Sequence, residues 1–299
     1  MSKRNPNKIK EGKTIYTVLV YVAVAFLCFL AVYPMYYVLI MSLSSPENAA
    51  QMNVYVIPKG FCVDAYKVLV QDPEMWRAYL NTIIYVIPTT ILMLTTCVLV
   101  AYPLTYKRLM GRKFVNMFLL IPMYFGGGMI PWYLLYANVL NLKGTAFVIW
   151  FPGITSSFLV ILMRTFIQSS VPDAIAESAK IDGAGPFTIF IKIVLPVLKP
   201  GLATVGFFLA LGYWNDWYRS SLFSTNANTY ELQFYLYNML SSTTALKDLA
   251  VGATAQIENI PGQSMKMAMA VIVTGPVLLF YPFVQRYFVS GITVGAVKG

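Results

Sequence analysis

The sequence predicts an all-α, polytopic membrane protein with six transmembrane helices. Three observations carry that expectation: 58% of the 299 residues are hydrophobic, only 11% are charged, and the charges fall between long windows that contain none. A mean hydropathy of +0.64 places the chain outside the soluble globular range. Roughly 20 apolar residues make one bilayer crossing, and only helices or closed barrels satisfy their own backbone there. Windows free of Asp, Glu, Lys and Arg cover residues 14–46, 78–106, 114–142, 144–163, 200–215 and 267–285.

The first window follows Lys3, Arg4, Lys8, Lys10 and Lys13 and is far longer than the apolar part of a secretory signal, so residues 1–13 are expected as a polar lead-in to a retained anchor. The third is broken by Pro122, by Gly126, Gly127 and Gly128, and by Pro131. Such a break needs partners inside protein or beside water, which makes it a candidate hinge; close helix packing through glycine is the competing account.

Residues 171–196 concentrate charge that the rest of the chain avoids. Pro172 and Asp173 suit a helix start, and Gly183 with Gly185-Pro186 suits a stop and a sharp turn. A second apolar run then leads to Pro196, giving a short helix-turn-helix. On shape alone this is an amphipathic hairpin resting on lipid headgroups. Against that, Asp173, Glu177 and Asp182 are repelled by anionic lipid, and Ala174, Ala176, Ser178 and Ala179 suit close approach by another surface.

The fifth window is too short to cross alone, so its helix is expected to carry Trp214, Asn215, Asp216, Trp217 and Tyr218 into the outer part of the membrane. A charge at mid-membrane costs about 2.5–3.5 kcal/mol, so Asp216 is expected to face a wet cavity or the water boundary. Aromatic faces beside amide and carboxylate acceptors suit a sugar. An interfacial aromatic belt accounts for Trp217 and Tyr218 equally well. The loop 219–266 places Leu232, Tyr235, Leu236, Met239 and Leu240 on one helical face. The sixth window completes a membrane domain of residues 14–290, followed by a glycine-rich tail, 291–299.

Six crossings put alternate loops on one side. The N-terminus, 107–113, 164–199 and the tail together hold 15 Lys and Arg against 4 Asp and Glu; the remaining segments hold 7 and 8. The two sides, at +11 and −1, return the net +10, and basic residues favour the cytoplasm, so both termini and the 171–196 hairpin are expected inside. Topology thus explains the basic balance, and nucleic acid is not implied. Cys28, Cys62 and Cys97 are scattered and histidine is absent, so no disulfide framework, zinc site or histidine base follows. Gly12-Lys13-Thr14 lacks the earlier glycine of a phosphate-binding loop. Without buried carboxylate pairs or midplane charges, an intramembrane enzyme and an ion-coupled carrier both lack their working groups, the carrier or channel remaining the alternative reading.

Glu177-Ser178-Ala179, then Gly183, then Ile193-Val194-Leu195-Pro196 resembles the signature "EAA, three residues, G, nine residues, I-x-L-P" of the membrane permease subunits of binding-protein-dependent ABC importers. Asp182-Gly183-Ala184 and Pro200 match the carbohydrate-uptake branch, and Ser178 replaces the middle alanine. The stretches "GGGMIPWYLLY", "ILMRTFIQSSVP", "GYWNDWYRSSLF" and "QRYFVSGITVGAVKG" are similar to oligosaccharide permeases of Gram-positive bacteria. The resemblance implies the type I permease fold of ABC importers, with 171–196 as a cytoplasmic coupling helix. It implies that Glu177 makes a polar contact with a separate ATPase, that Gly183 makes the turn, and that the tail, with Gly291, Gly295, Lys298 and Gly299, reaches between two ATPases. It further implies a second permease, two ATP-binding subunits that hold ATP and magnesium, an extracellular solute-binding protein, and a sugar or oligosaccharide cargo; the apolar face in the 219–266 loop suits contact with that binding protein, entry into the cavity or ordinary lipid contact. No cofactor or covalent chemistry is implied for this chain.

Overall fold

A computed structural model describes residues 6–150, 156–250 and 262–296. The chain divides into two compact units: Met1–Gln71 with Met239–Ile272, and Asp72–Asn238 with Val273–Gly299. All regular elements among the described residues are helical.

In the first unit, α1 (Pro6–Ser42) contains an apolar span, Tyr16–Ser42, that is largely exposed along its length. Only its last turns bury side chains: Ile40 and Met41 meet Ala49 and Val54, with Tyr37 and Met267 packed against them. Pro46 opens α2 (Pro46–Ala50), its fixed φ suiting a first helical position. The loop beyond it is tied back by Ser45 N–H to Lys59 O (3.1 Å) and Cys62 N–H to Leu43 O (2.9 Å). It leads to α3 (Asp64–Gln71), whose Tyr66 hydroxyl lies 2.6 Å from Ser42 Oγ.

The second unit is built on α4 (Pro73–Ala101). Asp72 caps it by accepting from Glu74 N–H at 2.8 Å, and Pro73 takes the first position. After a 3-10 turn, α5 (Arg112–Tyr124) runs to the predicted break; α6 (Met129–Leu134) and a π-helical turn through Val139 follow at 113°. Next come α7 (Phe147–Trp150) and α8 (Ser157–Ser170). The charged hairpin is α9 (Asp173–Ile181), then α10 (Pro186–Ile189), a π-helical turn 190–194 and α11 (Leu195–Val197). A 77° bend separates that arm from α12 (Lys199–Trp214), after which α13 (Tyr218–Phe223), α14 (Leu232–Ala250) and α15 (Gln263–Ala296) complete the chain.

The core of this unit joins α4, α8 and α12: Cys97, Ala101, Val160, Met163, Leu198 and Val205 are fully buried. Gly201 permits a close approach, since a Cβ there would sit 3.0 Å from Phe166 Cβ. Small residues at such crossings let helices gain van der Waals contact where lipid supplies no hydrophobic drive.

By length and composition three helices suffice to cross a membrane, and up to five crossings arise among the described residues if each bent pair is one span. The fourth predicted window differs in register: its helix runs through Arg164 to Ser170, 14 residues in all. Arginine is a good helix former, so the charge does not interrupt the backbone, and Arg164 donates to Asn116 Oδ1 on α5 at 3.1 Å. The fifth differs as well. α12 stops at Trp214, where Asn215 N–H and its side-chain amide both bond Leu211 O (3.2 and 2.9 Å), so Asp216 and Trp217 lie in a turn and Tyr218 starts a new helix.

Candidate functional site

Two regions gather the residues singled out by sequence. In the first, α9 ends where Asp182 N–H bonds Ser178 O (3.0 Å) and Ala184 N–H bonds Ala179 O (2.9 Å). Gly183 between them has φ +82, a left-handed conformation that costs any residue with a Cβ about 1–2 kcal/mol. The predicted turn is therefore a property of the backbone.

The signature residues separate into two groups. Ala179, Ile193 and Leu195 pack against the buried cluster of Ile167, Ile189 and Val194. Glu177, Ser178, Asp182, Gly183 and Pro196 are exposed. Beside them Ile181 is 87% and Phe187 71% exposed, apolar area of the kind that marks an interaction site. Glu177 lines a cavity of about 570 Å³ with Lys107, Arg108, Lys180, Tyr106 and Gln168. Lys180 Nζ stands 4.9 Å from the centre of the Tyr106 ring, and the Tyr102 and Tyr106 hydroxyls are 2.5 Å apart. These bases and tyrosines were not singled out by sequence, because nothing local links 102–108 to 177–180.

The second region surrounds the end of α12. Trp214 is a structural residue: its Nε1–H donates to Val273 O at 3.0 Å and its ring meets Tyr79 edge-on at 5.8 Å. Asp216, expected at a wet cavity or the water boundary, keeps 20% of its side chain exposed and is paired with Arg219, which donates to it from both Nε and the backbone N–H. The same guanidinium donates to Ile149 O at 3.0 Å and lies 4.6 Å from the Tyr213 ring centre. The Asp216-x-x-Arg219 spacing was a readable signal for this pair. What remains outward is neutral: Trp217 stacks on Tyr237 (centroids 4.4 Å apart, 15° between planes), Asn215 Oδ1 accepts from Gln233 Nε2 at 3.0 Å, and Tyr218 donates to Met129 Sδ. Below them Ser220 Oγ donates to Glu231 Oε2 at 2.6 Å, and Glu231 is only 3% exposed.

The helical face expected at 232–240 is present in α14, with Leu232 buried, Tyr235, Leu236 and Met239 half-buried and Leu240 exposed. Tyr235 donates to Asp72, and burial holds its phenol well above the ordinary value. Met129 tethers the glycine break to this region, and Pro131 lies just inside α6. The backbone continues as helix through Gly291 and Gly295 to Ala296; Lys298 and Gly299 lie outside the described residues. Among the described residues no group of His, Cys, Asp and Glu side chains is arranged to hold a metal.

No family model matches the chain. It is 34% identical over 272 residues to protein LplC of Bacillus subtilis, covering 90% of each chain. It is 30% identical over 286 residues to the polygalacturonan/rhamnogalacturonan transport system permease protein YtcP of the same organism, covering 95% of this chain and 99% of that one. Among solved structures it resembles a chain of a bacterial ABC transporter involved in the import of the acidic polysaccharide alginate, with a TM-score of 0.80 and 28% identity over 93% of this chain and 98% of that one.

Proposed function

The chain belongs to the sugar permeases of ABC importers, multi-pass membrane proteins, and from that premise we propose that it forms half of a path through which an oligosaccharide enters the cell. A second, related permease supplies the other half, a solute-binding protein delivers the cargo, and two ATP-binding subunits supply the work. Both termini and the hairpin then lie on the cytoplasmic side, as the distribution of basic residues favours. The transport names of the relatives support a carbohydrate cargo, and so does the stacked pair Trp217 and Tyr237 beside Asn215.

One observation carries the coupling role: a nine-residue helix closed by a left-handed glycine presents Glu177 beside a cavity rimmed with bases while Ile181 and Phe187 stand uncovered. A partner that covers the two apolar side chains gains about 1.5–3 kcal/mol for each one fully buried. That is too little to transmit force alone, so a polar contact at Glu177 fixes the register of the hairpin. The tail residues Gly291, Gly295, Lys298 and Gly299 add a second attachment between the ATP-binding subunits. Glu177→Lys is expected to leave the protein inserted at normal levels while uptake and cargo-stimulated ATP hydrolysis are lost. Photo-crosslinking from position 177 should capture the ATP-binding subunit; normal uptake in the variant, or capture of lipid alone, overturns the assignment.

A further inference from the structure

The break between α5 and α6 leaves a problem that the chain does not solve by itself. Thirteen helical residues starting at Arg112 and Lys113 carry the backbone about 20 Å, against a hydrocarbon core of about 30 Å. With Arg112 and Lys113 at the near boundary, residues 125–128 leave the helix roughly 10 Å short of the far one. Gly126 and Gly127 are exposed, and neither their N–H nor their C=O groups bond to any of the described residues. Lipid does not tolerate such a face; it must meet protein or water.

Two further observations narrow the choice. A Cβ on Gly126 or Gly127 meets nothing within 4 Å, and neither residue has positive φ, so nothing among the described residues requires glycine at either position. Without side chains, the backbone at these two positions is open to close approach from outside the chain. The break also adjoins the neutral aromatic shelf: Met129 accepts from Tyr218, and the Trp132 and Tyr133 rings pack on Phe223 of α13.

We propose that Gly126 and Gly127 form a bare-backbone ledge that hydrogen-bonds saccharide hydroxyls and continues the shelf of Trp217, Tyr218 and Tyr237. Amide donors and acceptors next to aromatic faces match a pyranose, which pairs hydroxyls with apolar C–H patches. Because Asp216 and Arg219 neutralise one another, the pair adds no net charge to the wall, which takes neutral and acidic sugars by the same contacts. This inference rests on the importer reading above.

The test uses the assembled importer in membranes, with Cys28, Cys62 and Cys97 replaced and Gly127→Cys introduced. A membrane-impermeant, charged methanethiosulfonate should modify Cys at 127 far faster than a Leu30→Cys control in the apolar span. Oligogalacturonide at ten times its half-saturating concentration should slow that reaction about tenfold, in proportion to the sites left empty. Modification without protection overturns the sugar contact, and no modification by the aqueous reagent overturns the ledge as a whole. The cysteine-free parent separates the two readings: saccharide uptake with an unreactive ledge refutes only this inference, whereas absence of ATP-dependent uptake of oligogalacturonide and of neutral oligosaccharides refutes the importer reading with it.

Discussion

Glu231→Gln tests whether burial or pairing governs the carboxyl beneath the aromatic shelf. Glu231 is 3% exposed and accepts from Ser220 Oγ at 2.6 Å. Burial pushes its carboxyl up from the ordinary 4.5 to about 7; the Ser220 bond and the Arg219 charge oppose this, and Asp216 adds to it. A folded-state value above the unfolded one means that the folded chain holds the proton more tightly. The contribution is therefore complete below 4.5 and is lost as pH rises through about 7. The gap between 4.5 and about 7 corresponds to on the order of 3 kcal/mol. Glutamine keeps an acceptor for Ser220 and cannot ionise. Thermal unfolding of the purified chain in mild detergent at about pH 5 and about pH 8 should show wild-type stability falling across that interval, and the variant losing most of the fall. At the higher pH the variant should be the more stable of the two. A variant less stable than wild type at about pH 8, or an unchanged slope, would show that the ionised carboxylate is well paired and that burial does not govern it.

Gly144 has φ +77, and a Cβ there would lie 2.7 Å from Thr225 Oγ1. Gly144→Ala should lower stability by about 2–3 kcal/mol, and Thr225→Ala in the same chain should recover the steric part but not the strain. Arg219→Ala leaves a half-buried Asp216 unpaired and should cost about 3 kcal/mol; the double change Asp216→Asn with Arg219→Gln should recover most of it, as read by unfolding. Trp217→Ala should reduce oligosaccharide uptake at an unchanged membrane level, because Trp214 and not Trp217 ties α12 to Val273.

The membrane class and the hairpin were legible because both are written locally. Apolar windows longer than a bilayer is thick need no distant partner to be recognised. The hairpin has its stop and turn in consecutive residues, and Gly183 adopts the left-handed φ that its position called for. Span limits were less legible, since a charge marks where the bilayer must end but does not interrupt the helical backbone that carries it. Arg164 has Asn116, 48 residues away, and stays helical. For Asp216 pairing matters: a carboxylate alone demands water, whereas one bonded to Arg219 demands less.

Composition and short-range pattern alone therefore determined that this chain is helical, enters the bilayer repeatedly, breaks at Gly126–Gly128 and carries one charged finger. Only the tertiary structure decided which side chains of those segments remain available. It used Trp214 for packing, neutralised Asp216, tucked Ile193 and Leu195 against the core, and left Glu177, Phe187 and Trp217 outward. The physical reason is range: hydropathy and turn chemistry act over a few residues, while pairing, stacking and burial depend on neighbours that only the packed helices bring together.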